Sequence, residues 1–269
     1  MNIFDNALVQ IYNLMERFLS LIEKVIGKDF INSFTRLLDQ MHATAVIVSA
    51  AIVLISGLSA YIQFKELFSW TLYVALGAPF LLLVLSFFAE SFHDACEDLI
   101  SSNETTLSNG AYMRLAAVIS FFSSIVLFAG GILVLVQGMG INISIGMWVG
   151  AFVLLLSAAP FFNPSLLNVS ITKDSSSGED FIALISLNLK ALVFFEKIIS
   201  RLLIVGGGIC LIGSLFQVMP YLVYGLGLLA GGIAFPIIIY LLFLFFYFFY
   251  SLLLSLLSIG RLPTSGSSD

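Results

Sequence analysis

The 269-residue sequence predicts an all-α, polytopic membrane protein: six transmembrane helices arranged as three hairpins, joined by cytoplasmic amphipathic helices. Three observations predict it. The first is composition. Apolar residues make up 60% of the chain and charged residues 10%, with a mean hydropathy of +1.09. An average soluble domain is roughly 45–50% apolar and about 25% charged. So few ionisable groups cannot build a water-facing surface, and the bilayer is the main solvent. The net charge of −5 also excludes a nucleic-acid partner, which would need a basic face for phosphates.

The second observation is where charge is missing. Uncharged stretches recur at Ala43–Ile62, Leu67–Ala89, Leu115–Val136, Ile143–Phe162, Leu202–Met219 and Tyr221–Ile259. Each is about as long as, or longer than, the roughly 20 residues a helix needs to cross the hydrocarbon. The backbone must satisfy its own hydrogen bonds there, and no stretch alternates with the two-residue period of a barrel strand. The third observation is the asymmetry of Lys and Arg. With six crossings, ten of the eleven basic residues fall on one side and Lys65 alone on the other. Both termini are therefore expected in the cytoplasm of a plasma or bacterial inner membrane. The outer turns shrink to Gln63–Phe68, Gln137–Asn142 and Val218–Pro220.

Residues 1–42 read as cytoplasmic amphipathic helices. Phe4, Leu8, Ile11, Met15, Phe18, Ile22 and Val25 repeat at alternating steps of four and three, a heptad seam. Such a helix either lies in the headgroup layer or docks on a neighbouring subunit. After Gly27, Phe30, Phe34, Leu37 and Met41 carry a second apolar stripe into the first span. No long apolar h-region marks a cleaved signal peptide.

Residues 43–169 hold four spans, at about 43–62, 67–89, 115–136 and 143–162. Gly57 and Gly77, Gly130 and Gly150, and Gly213 and Gly232 recur at nearly equal separations. They fit either a threefold repeat or three unrelated hairpins. Gly146-x-x-x-Gly150 and Gly227-x-x-x-Gly231 are small-residue patterns that let helix backbones approach. Segment 170–180 reads as a flexible linker and 181–200 as a juxtamembrane helix; spans follow at about 202–219 and 221–259, and residues 261–269 form a disordered tail. The last span is about twice as long as the membrane requires, and Pro236 is expected to kink it. Its surplus is aromatic, so either its end bends along the interface or another protein covers it.

The chemistry is sparse. Cys96 and Cys210 lie too far apart to pair, and the asparagine sequons fall in the cytoplasm or too close to the membrane for glycosylation. No Asp, Glu, Lys, Arg or His lies inside a span, whereas ion-coupled transporters and voltage sensors place such groups there. No nucleophile–base set appears, so no catalytic residue and no cofactor is expected. One constellation stands out: both histidines close an acid-x-x-His spacing, Asp39 with His42 and Glu90 with His93. Two such pairs are half of a di-metal carboxylate site, and Asp94, Glu97 and Glu196 are the nearby acids. Helix ends at an interface also carry polar residues with no ligand to hold, and no metal ligand is assigned.

The resulting expectation is a non-enzymatic membrane subunit or scaffold that assembles with itself or with other membrane proteins. The alternatives are a passive channel or transporter for a neutral or lipidic solute, and a membrane metalloprotein using the acid-x-x-His pairs.

Overall fold

The structure, a computed structural model, describes residues 26–63, 68–102, 104–172, 177–216 and 219–260, with a few isolated positions before Ile26. The N-terminal heptad seam, the tail and the centres of two outer turns lie outside the described residues. Six long helices dominate: α1 (Lys28–Gln63), α2 (Phe68–Ser102), α3 (Ala111–Val136), α4 (Ile141–Phe162), α5 (Ser177–Ser214) and α6 (Met219–Gly260). Five of them, α1, α2, α3, α4 and α6, are long and apolar enough to cross a membrane. The chain is thus helical and multi-pass. The apolar part of α5 ends with the helix at Ser214, short of the expected Met219.

Two amphipathic stretches continue directly into the apolar segments that follow them. The amphipathic stretch after Gly27 and the first span are one helix, α1, and the juxtamembrane helix and following apolar segment are one helix, α5. One backbone ladder runs through both stretches, whether the side chains are apolar on one face or on all faces. The segment read as a linker is also shorter than 170–180. Ser170 and Ile171 lie in a strand and α5 starts at Ser177.

The chain divides into two compact units. The first joins Met1–Thr35 to Thr106–Asp174. In it α3 and α4 pack antiparallel. Ser124 Oγ donates to the Ala151 carbonyl at 2.8 Å, Gly131 faces the Trp148 indole and Gly150 faces Leu127. The turn between them needs glycine, because Gly138 and Gly140 have φ of +71° and +117°. Phe34 meets Phe152 edge-on at 5.4 Å, and Asn163 Nδ2 donates to the Ile26 carbonyl. Two three-residue strands, β1 (Thr105–Leu107) and β2 (Val169–Ile171), pair at the polar end of this unit. Their Thr, Val and Ile favour extended backbone, but three residues carry no readable period.

The second unit joins Arg36–Thr105 to Ser175–Asp269. Here α5 and α6 run antiparallel with their backbones in contact. A Cβ on Gly207 would lie 2.9 Å from the Gly225 carbonyl, and one on Gly225 would lie 3.1 Å from the Gly207 carbonyl. The approach therefore requires glycine at both positions. Of the Gly-x-x-x-Gly patterns only Gly150 packs closely: a Cβ on Gly146 or Gly227 would meet nothing within 4 Å, and one on Gly231 would meet only Leu203, at 4.0 Å. Ala45, Val46 and Ile52 of α1, Ala89 of α2, Ile204 and Leu211 of α5, and Leu229 and Ile233 of α6 form one buried cluster. A second cluster lies farther along α2, α5 and α6, where Cys96, Leu189, Val193, Ile239 and Phe243 are buried together.

Candidate functional site

Between those two apolar clusters lies a layer of charge. It forms where the uncharged segments 43–62, 67–89 and 202–219 end, and the antiparallel runs of α1, α2 and α5 bring these ends level. Arg201 on α5 is its centre. Its guanidinium engages Asp39 of α1 through Nη1 and Glu90 of α2 at 3.0 Å through Nη2. One turn earlier on α5, Glu196 is buried and accepts from His93 Nδ1 at 2.7 Å. His93 Nε2 lies 3.4 Å from Glu97 Oε2, and Lys197 Nζ donates to that oxygen at 2.8 Å.

The layer is polar yet largely dry. The Arg201 side chain is 5% exposed and those of Glu196 and His93 are 3% and 6% exposed, whereas Asp39 and Glu90 are about half in solvent at 46% and 44%. A guanidinium suits this position because its planar fork addresses two carboxylates from two helices at once. The arrangement ties three helices together where they leave the apolar region.

The sequence reading brought Asp39, His42, Glu90 and His93 to one depth, and the structure does so too. Glu196 and Glu97 join them, while Asp94 is exposed and outside the contacts. What the spacing missed is the cation. Arg201 and Lys197 take carboxylate oxygens that a metal would need. Among the described residues no group of three or more His, Cys, Asp or Glu side chains is placed to hold a metal ion. A signal was available in the sequence: Lys197 and Arg201 stand one turn apart beside Glu196, immediately before an uncharged segment.

Beyond the charge layer the helices continue together. The inner face of α6, with Ile239, Tyr240, Phe243 and Tyr247, packs on Cys96, Leu99 and Ile100 of α2 and on Ile185, Leu189 and Leu192 of α5. The overlong last helix is therefore covered on one side by the chain itself. Its outer face is not: Leu241, Phe245, Phe248, Phe249, Leu252 and Leu256 are exposed, Phe248 by 63%. At this level α2 turns Asp94, Glu97 and Asp98 outward, so the surroundings are aqueous or interfacial. Also here, burial lowers Lys190 on α5 to about 8, against the opposing pull of Glu104.

Ser124 and Ser200 hydrogen-bond to carbonyls of the neighbouring helix, and Ser157 and Ser214 to their own. No family model, curated protein or solved structure matches the chain.

Proposed function

We propose that the chain is a non-enzymatic, multi-pass membrane subunit that assembles, with its own copies or with other membrane proteins, through the outer face of α6. The observation that carries this is the mismatch on that helix. At 42 residues α6 is roughly 63 Å long, about twice the hydrocarbon thickness. Its second half exposes a phenylalanine-rich face level with the outward acids of α2. Exposed apolar area of that kind outside the hydrocarbon favours a covering surface.

In this reading the helices form three antiparallel pairs and cross six times, with α5 completing the fifth crossing alongside α6. Both termini are cytoplasmic, consistent with ten basic residues on one side against one. The charge layer then sits at the cytoplasmic interface and holds the extension of α2, α5 and α6 upright. The triple variant F245S/F248S/F249S tests the proposal. The wild type is expected to run in mild detergent as an assembly heavier than its 29.3 kDa chain, and the variant as the single chain. A wild-type monomer with an unaltered variant would overturn it.

A further inference from the structure

Beside the charge layer, α1 and α2 splay apart and leave an open cleft of about 370 Å3. Its mouth is formed by Asp39, His42 and Glu90, and its lower walls include Val46, Ile47 and Phe87. Ile47 and Phe87 are exposed, and they belong to the uncharged segments, so the cleft opens toward lipid tails. The mouth is negative. Asp39 and Glu90 each use one oxygen on Arg201, while Arg201 itself is buried and does not line the cleft. The second oxygen of each carboxylate has no hydrogen-bond partner among the described residues, and both side chains are about half exposed.

We propose that this cleft seats a bilayer lipid with a primary-ammonium headgroup, the ammonium on Asp39 and Glu90 and one acyl chain along Val46, Ile47 and Phe87. Charge complementarity selects the headgroup: two carboxylates face the mouth, and the single cation that offsets them lies behind it. An ammonium has three N–H donors for the free oxygens; a quaternary head has none, and an anionic head is repelled. The apolar walls below the mouth select an amphiphile over a free amine. At this size the cleft matches the small end of ligand pockets.

Native mass spectrometry of the full-length protein tests this, with ethanolamine, choline and glycerol phospholipids of identical acyl chains. Wild type is expected to retain the ethanolamine lipid over the glycerol lipid by about fivefold or more, the choline lipid falling between. D39N/E90Q should bring that ratio to about one, and E90Q alone, which keeps the Asp39–Arg201 pair, to an intermediate value. A43W narrows the cleft while keeping both carboxylates and should lower retention of the ethanolamine lipid severalfold. Equal retention of the three lipids by the wild type would overturn the proposal. So would a headgroup preference that persists in D39N/E90Q, or retention unchanged in A43W.

Discussion

Arg201 offers the sharpest perturbation, because the three members of its ion cluster differ in exposure. The guanidinium is 5% exposed, and Asp39 and Glu90 are 46% and 44% exposed. Removing the cation with R201M leaves two carboxylates that are about half in solvent, of which only the buried Asp39 Oδ1 must turn outward to rehydrate. The cost is then that of a partly screened pair, about 1–2 kcal/mol. Removing the anions with D39N/E90Q leaves a guanidinium charge that cannot reach water without opening α5 from α1 and α2. Stranding a buried charge costs about 3–5 kcal/mol, and the amide oxygens that still accept from Arg201 place the value toward the lower end. The triple variant R201M/D39N/E90Q strands nothing and should return to within about 1 kcal/mol of R201M. Equilibrium unfolding of each protein in detergent micelles, followed by helical ellipticity, yields all three free energies. The reasoning fails if D39N/E90Q costs no more than R201M, or if the triple variant is less stable than the double.

Three further outcomes follow from the packing. G207A and G225A push a methyl group into the facing backbone and should each cost about 1–3 kcal/mol in the same unfolding assay, whereas G146A and G227A meet open space and should be neutral or stabilising by up to about 1 kcal/mol; equal effects at the two pairs would contradict the crossing point. S124A removes the 2.8 Å bond to the Ala151 carbonyl and should cost about 0.6 kcal/mol, up to about 1.7, with no loss at all counting against that bond. Lys190 is lowered from its ordinary 10.5 to about 8 by burial. Between those values the unfolded chain binds more protons than the folded one, so stability gains with rising pH. The thermal midpoint of the wild type should rise relative to that of K190M as pH climbs from 8 through 10, and parallel curves would exclude the effect.

Much of the fold is legible because the solvent writes it into the sequence. A helix in hydrocarbon shows as a run without charge, and α3 and α4 coincide with runs 115–136 and 143–162 to within a few residues. The continuity of α5 is not legible in that way, and that of α1 shows only in the apolar stripe that runs into the first span. Charge at Asp39 and His42, or at Lys197 and Arg201, marks where lipid ends and says nothing about where the helix ends. The strands β1 and β2 are too short for periodicity to reveal. Glycine spacing was half a guide for a related reason: which face of a helix meets its neighbour is decided by the whole bundle, and that face carries Gly150 but not Gly146 on α4, and Gly225 but not Gly227 on α6. Of the charge layer, the i, i+3 spacing exposed the half that is local in sequence. The other half comes from α5, more than a hundred residues after Glu90, and chain folding alone unites Arg201 with Asp39 and Glu90. Likewise, the surplus length of α6 was readable as a count, whereas its cover by α2 and α5 on one face depends on three segments meeting.

The central claim is that the outer face of α6 is an assembly surface, and disulfide trapping in intact membranes reaches it most directly. With Cys96 and Cys210 replaced by alanine, F248C places one thiol on that face, and F80C places one on a comparably exposed position in the apolar part of α2. Oxidation is predicted to convert F248C to a species of higher mass that reductant reverses, and to leave F80C as the 29.3 kDa chain. An F248C chain that stays monomeric under oxidation, or that cross-links no more than F80C, would contradict the account.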